Sequence, residues 1–73
     1  MATEVRAHIT GTVWKILVQP GDEVAVDQTL VILESMKMEM PVESPEAGRV
    51  VSIATREGAS VDEDDLLLTL EPA

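Results

Sequence analysis

Apolar residues occur along the chain in short runs that alternate with polar positions, and turn-forming residues separate the runs. No segment shows sustained helical periodicity. Short strands at regular spacing, with turn signals between them, are typical of an all-β sandwich or barrel. The pattern predicts eight strands, at Glu4–His8, Thr12–Gln19, Glu23–Val26, Thr29–Glu34, Glu39–Glu43, Arg49–Arg56, Ser60–Asp62 and Leu66–Leu70.

The same pattern occurs twice, because the chain matches itself without a gap when it is shifted by 37 positions. Among the pairs formed by residues 2–36 and 39–73, ten are identical, and most of these residues are apolar or glycine. The identical pairs are Val5/Val42, Gly11/Gly48, Val13/Val50, Ile16/Ile53, Gly21/Gly58, Val24/Val61, Asp27/Asp64, Leu30/Leu67, Leu33/Leu70 and Glu34/Glu71. Half of so small a sheet protein cannot bury a core alone, so we expect each half to supply one wall.

The repeat predicts one domain over residues 1–73, a flattened β-barrel or sandwich of two four-stranded antiparallel sheets related by an internal pseudo-twofold axis. Val13 and Ile16 differ in parity and would face opposite sides of a regular strand. We therefore predict a bulge near Trp14-Lys15 and a second one near Val51-Ser52. Pro41 and Pro45 place the fifth strand at a sheet edge, since proline cannot donate to a ladder.

Lys37 lies on the boundary between the two repeats, and its equivalents by the 37-residue shift would fall at positions 0 and 74, just beyond both chain ends. A pseudo-twofold axis would therefore put this lysine at one pole and the termini at the other. Met36-Lys37 is predicted to form the centre of a two-residue hairpin. Such turns favour residues that tolerate positive φ, so we expect mild backbone strain there.

Composition limits the possible functions. The 73 residues include no cysteine and one histidine, and the net charge is −9. The acidic balance argues against nucleic acid and anionic membranes as partners. No basic segment precedes an apolar stretch at the N-terminus, and apolar runs are too short to cross a bilayer. We expect a cytoplasmic monomer with no metal site.

Catalytic groups are also missing from the pattern. His8 has no partner in the sequence, the serines lie outside any nucleophile motif, and no phosphate-binding glycine loop occurs. The acidic run 62–65 lacks the ligand spacing of a calcium loop. Trp14 is expected to pack on a sheet surface and Met40 to contribute to the core. We therefore predict that the chain is not an enzyme.

The hexapeptide Glu34-Ser35-Met36-Lys37-Met38-Glu39 resembles the biotin-attachment motif of the biotinyl carrier domain family, also described as biotin/lipoyl attachment domains. The resemblance covers essentially the whole chain and is close to short free-standing biotinylated proteins and to biotin carboxyl carrier domains. It departs from the family at Asp27 and Asp64, where glycine is frequent, and at residues 8–10, where many members have a proline-containing segment. No insertion resembles the protruding thumb of some bacterial carriers.

The resemblance implies that a biotin protein ligase forms an amide between biotin and Lys37. It implies a carrier role in a carboxylase such as acyl-CoA carboxylase, in which the tethered biotin moves a carboxyl group between biotin carboxylase and carboxyltransferase. The lysine stem and the biotin chain would form an arm of about 14 Å. Ligase recognition is expected to read Met36 and Met38, with Glu34 and Glu39 as further candidates.

Three alternatives stay open from the sequence. The domain could carry lipoate, although lipoyl domains usually have an acidic residue before the lysine and small residues after it. A biotinylated protein could also act outside a carboxylase cycle, as a biotin reservoir or a regulator of the ligase. The third alternative is an unmodified interaction module or inhibitor of a carboxylase assembly.

Overall fold

The computed structural model describes residues 2–72, which form eight strands in two four-stranded antiparallel sheets. All eight predicted strands are present, with different ends. They are β1 Thr3–Arg6, β2 Gly11–Ile16, β3 Glu23–Val24, β4 Thr29–Ser35, β5 Met38–Glu43, β6 Gly48–Ile53, β7 Ser60–Val61 and β8 Leu66–Pro72. Within this range there is no helix, and so none that is long and apolar enough to cross a membrane.

The two sheets are equivalent under the 37-residue shift. One sheet has the order β1-β8-β6-β3 and is called the terminal sheet, because β1 and β8 lie nearest the chain ends. The other has the order β5-β4-β2-β7 and is called the tip sheet, because β4 and β5 are joined through Lys37. The shift turns β1, β8, β6 and β3 into β5, β4, β2 and β7, so each sheet reproduces the other strand by strand. The predicted fold class is confirmed. The expectation that each half of the chain supplies one wall is wrong, because each sheet takes two strands from the first half and two from the second.

The second and sixth strands end three residues earlier than the sequence predicts, because the chain leaves one sheet there and crosses to the other. At the end of β2, the Leu17 amide donates to the Leu30 carbonyl of the tip sheet over 2.9 Å. Four residues later, the Gly21 amide donates to the Val50 carbonyl of the terminal sheet over 2.8 Å. The apolar pattern continues through this crossover, and so it does not reveal where the strand pairing stops.

Both predicted bulges are confirmed. The register of β2 against β4 shifts between Val13 and Lys15, and that of β6 against β8 shifts between Val50 and Ser52. The extra residue in β2 lets Val13 and Ile16 face the same interior despite their different parity. The expectation that the Pro41 strand lies at an edge is confirmed as well, since β5 is the outer strand of the tip sheet.

The core between the sheets is aliphatic. Leu30, Leu33, Leu67 and Leu70 have no solvent exposure, and valines from both halves pack around them. Met40 is half-buried rather than fully in the core. Ile16 and Ile53 are also half-buried and pack against the rim of the cluster.

The partial exposure of the two isoleucines changes the expected cost of truncating them. A fully buried isoleucine or leucine loses about 2–5 kcal/mol on replacement by alanine. We expect Leu70→Ala to fall in that range and Ile53→Ala to cost less than about 2 kcal/mol, because water already reaches part of its side chain. Urea denaturation of the two variants measures the difference, and equal midpoints would contradict it.

Candidate functional site

Met36 and Lys37 form the two-residue turn between β4 and β5, as the sequence predicts. Ser35 faces Met38 in the register, so only these two residues lie outside the ladder. Both have left-handed backbones, with φ of 53° at Met36 and 65° at Lys37. Two consecutive positive φ values define a type I′ hairpin turn, which asparagine and glycine adopt more readily than methionine and lysine. The predicted strain is therefore present.

The side chains of the turn extend into solvent. Met36 is 91% exposed and Met38 58% exposed, and Lys37 is also exposed. Met36 is the most exposed of the large hydrophobic side chains in the described part of the chain. Lys37 forms no salt bridge with any residue in the range 2–72. The tip therefore presents one primary amine between two flexible thioethers.

The turn lies at the pole away from the chain ends. Leu30, at the start of β4, is joined through the Leu17–Gly21 crossover to Val50, which pairs with Leu70 near the end of β8. The start of β4 therefore lies on the side of the chain ends, and β4 runs from there to the turn. The structure is elongated, with extents of 34 × 18 × 17 Å. The pseudo-twofold prediction of opposite poles is confirmed for the described residues.

Gly11 supports the turn from the neighbouring strand. A Cβ atom built on Gly11 would lie 2.5 Å from the carbonyl oxygen of Glu34, just before the turn. Gly48 is packed equally closely against the backbone of Glu71 at the other pole. The missing Cβ of glycine permits this close approach of two backbones at both positions.

Glu34 and Glu39 lie opposite each other across the hairpin, one row from the turn. Both side chains are exposed, and neither forms a salt bridge with residues 2–72. Like charges on directly opposed positions of a sheet are unfavourable by a few tenths of a kcal/mol. The sequence places Glu34 before the turn and Glu39 after it. Only the register of β4 and β5 shows that they lie directly opposite each other.

Asp27 and Asp64, the departures from the family glycine, have φ of 66° and 75°. Aspartate tolerates this region better than most residues, and so the turns keep the backbone that glycine would give. The Asp65 carboxylate accepts from the Asp62 amide over 2.8 Å, which assigns a turn-capping role within the acidic run. Among residues 2–72 no cluster of acidic or histidine side chains is arranged to hold a metal ion.

The other candidates lie apart from the turn. His8 is exposed, and Trp14 is 41% exposed on a sheet surface, with the Lys15 ammonium 5.7 Å from the centre of its ring. A surface groove of about 560 Å³ lies along residues 53–56, 59–61, 65 and 66 and does not reach the hairpin turn. The exposed amine at the turn is therefore separate from these other candidates.

The hairpin turn at the repeat boundary has a lysine at its apex. Residues 1–70 match a protein-family model described as "Biotin-requiring enzyme". The chain belongs to the biotin/lipoyl attachment domain family. It is 41% identical over 66 residues to the biotin/lipoyl attachment protein of Bacillus subtilis, and the match covers 90% of each chain. Domains of this family are carriers.

Longer proteins in both branches of the family contain similar segments. The chain is 46% identical over 63 residues to the dihydrolipoyllysine-residue acetyltransferase component of the Azotobacter vinelandii pyruvate dehydrogenase complex, and covers 10% of it. It superposes with a TM-score of 0.94, at 30% identity, on a single-chain, multi-domain long-chain acyl-CoA carboxylase. That match covers 99% of this chain and 7% of the carboxylase. These matches show the family but do not distinguish its biotin branch from its lipoyl branch.

Proposed function

We propose that this chain is a biotin carrier and that Lys37 is the residue to which biotin is attached. The observation that carries the proposal is the exposed amine at the apex of the type I′ turn, between two exposed methionines. The residues fit the group, because nothing encloses the amine and an acyl chain would extend it directly into solvent. Met36 and Met38 favour biotin over lipoate, since lipoyl domains usually carry an acidic and a small residue there.

Attachment requires a second protein, because a carboxylic acid and an amine do not form an amide under physiological conditions unless the acid is first activated. No base in residues 2–72 is hydrogen-bonded to Lys37. A biotin protein ligase would supply an activated acyl adenylate and remove the proton. The Lys37 Nζ–acyl bond forms, the acyl–phosphate bond to AMP breaks, and the formal net charge changes from −9 to −10.

The role proposed for the modified domain is to carry a carboxyl group between a biotin carboxylase and a carboxyltransferase. Its likeness to a domain of an acyl-CoA carboxylase supports this role. The attached biotin would supply the nitrogen that accepts the carboxyl group. The domain itself contributes a stiff support and a long arm, which together raise the effective concentration at each active site. On this proposal all catalysis belongs to the partners.

A lipoyl carrier is the second candidate, and the similarity to the acetyltransferase component favours it. Intact-mass analysis decides between the two after expression with biotin, lipoate and both types of attachment enzyme. We expect the mass of a single biotinyl group, and a lipoyl increment would overturn the choice of cofactor. A carboxylation assay with bicarbonate, ATP and purified biotin carboxylase then separates a carboxyl carrier from a biotin reservoir, which would accept no carboxyl group.

The strained turn allows a prediction that separates folding from recognition. Asparagine adopts positive φ more readily than methionine, and so Met36→Asn should stabilise the fold by about 0.5–1 kcal/mol. The same change removes an exposed thioether and should lower kcat/KM for biotinylation. Urea denaturation and a ligase assay measure the two effects. Met36→Leu, which keeps an apolar side chain, is the control. Unchanged ligation of Met36→Asn would show that the ligase does not recognise Met36.

A further inference from the structure

The outer faces of the two equivalent sheets differ, although their backbones match. An apolar strip, defined as Trp14, Ile32 and Pro41, crosses the outer face of the tip sheet at one level. Ile32 faces Pro41 on one side and Lys15 on the other, with Trp14 in the bulge beside Lys15. Trp14 and Pro41 are exposed and Ile32 is half-buried. The strip contains the one aromatic residue of the chain.

The 37-residue shift supplies an internal comparison for this strip. At the equivalent positions the terminal sheet has Val51, Thr69 and Glu4. The same backbone can therefore carry a solvent-exposed face of smaller and more polar side chains. The tryptophan, the isoleucine and the proline are not required by the fold, and an unpartnered apolar surface of this kind typically marks a binding site.

Charges on the two faces differ in the same way. On the terminal sheet Arg6 pairs with Glu4 at 2.6 Å and Arg49 pairs with Glu71 at 3.4 Å. The hydrogen bond from Arg6 to Glu4 and the charge of Glu4 raise the pKa of Arg6. The glutamates of that face therefore have cations beside them.

The acidic residues of the tip sheet have no such cations beside them. Thr12 occupies the position equivalent to Arg49 and faces Glu34, while Glu43 occupies the position equivalent to Arg6. Glu34, Glu39 and Glu43 form no salt bridge with any residue from 2 to 72. The nearby ammonium of Lys15 lies over the indole ring instead. The apolar strip thus has unpaired carboxylates on both sides along the strands.

The strip lies within reach of a protein that binds Lys37. Residues in a strand advance about 3.4 Å each, so Ile32 is about 15 Å from the apex of the turn. A protein interface of standard size covers about 800 Å² on each partner, which corresponds to a disc of about 16 Å radius. An enzyme that covers Lys37 near one edge of such an interface and leans over the tip sheet would extend about 32 Å along the strands. That span includes Glu34, Glu39, the apolar strip and Glu43, which is about 22 Å from the apex.

We propose that the enzyme that acylates Lys37 docks on the outer face of the tip sheet, through an apolar pocket for Trp14, Ile32 and Pro41 surrounded by lysine or arginine side chains. This inference rests on the proposed function. The unpaired glutamates select a basic partner surface. A second copy of this chain would bring another nine negative charges, and nucleic acid or an anionic membrane would be repelled in the same way.

The test transplants the terminal-sheet residues onto the tip sheet. The triple variant Trp14→Val, Ile32→Thr, Pro41→Glu places at each position the residue found at the equivalent position of the other sheet, and so it should fold. The matched control is Val51→Ala with Thr69→Ala on the outer face of the terminal sheet. Purified biotin protein ligase, biotin and ATP are the probe, and KM and kcat for each chain are measured separately.

We expect the triple variant to raise KM at least about tenfold with little change in kcat, and the control to match the unaltered chain. Glu43→Arg, which also takes the residue of its equivalent position, should raise KM and reduce its dependence on salt. An unchanged KM in both tip-sheet variants would overturn the inference. Circular dichroism reports folding, and if the triple variant unfolds, Glu43→Arg and Pro41→Glu alone decide. Failure of the unaltered chain to accept biotin would instead overturn the proposed function.

Discussion

Replacing Lys37 by arginine is expected to abolish attachment of biotin completely while leaving the fold intact. Arginine keeps the positive charge and the length of the side chain but provides no amine that forms a stable amide. Lys37 is exposed and forms no salt bridge within residues 2–72, so the free energy of unfolding should change by less than about 0.5 kcal/mol. Intact mass after incubation with ligase, biotin and ATP measures the first effect, and urea denaturation measures the second.

Lys15 provides the matched control, because it is the other lysine of the chain. Its ammonium lies over the Trp14 ring on the surface of the tip sheet, and Lys15→Arg should be biotinylated to completion. A full biotinyl increment on the Lys37→Arg chain would assign the attachment to Lys15 or to the terminal amine. Unfolding of Lys37→Arg would show instead that the lysine is structural.

Gly48→Ala is expected to destabilise the protein by about 3 kcal/mol, a large part of the roughly 5 kcal/mol available to so small a domain. The added Cβ would lie within a forbidden distance of the Glu71 carbonyl oxygen, and a strand backbone cannot rotate away as a flexible side chain can. β6 and β8 would have to separate, and the terminal sheet would lose its central pairing. The midpoint of urea unfolding measures the loss.

Gly21→Ala separates this steric effect from the ordinary preference of glycine for positive φ. Gly21 has a φ of 96°, and a Cβ added there would meet nothing within 4 Å. Its replacement should therefore cost only about 1–2 kcal/mol of backbone strain. Equal losses in Gly21→Ala and Gly48→Ala would contradict the close-approach explanation. Gly11→Ala, the repeat equivalent of Gly48→Ala, should resemble Gly48→Ala in stability.

The repeat made much of this architecture predictable. Parity at Val13 and Ile16 located one bulge, and the 37-residue shift located its equivalent within β6. Turn-forming residues between the apolar runs indicated most of the turns, although the Met36-Lys37 turn has none. The strand ends did not follow, since β2 stops at Ile16 although apolar residues continue through Val18. That limit is set by the crossover between sheets, which local patterning does not encode.

The candidate site was predictable in its centre and less so in its surroundings. Lys37, Met36 and Met38 are neighbours in sequence, and the family motif brings them together without any knowledge of the fold. Glu34 and Glu39 become opposed through the register of β4 and β5. The apolar strip was missed, because its three members come from three strands and each has an unremarkable sequence context.

The amino-acid sequence alone predicted the two equivalent sheets, the family, and an exposed lysine at the boundary between the halves. These depend on periodicity, turn chemistry and a contiguous motif, all of which are local. The tertiary structure decided the half-burial of Ile16 and Ile53, the close contact at Gly48, and the placing of Trp14, Ile32 and Pro41 on one face. Such features depend on which strands pair and in what register, and that choice is made by packing between residues far apart in the chain.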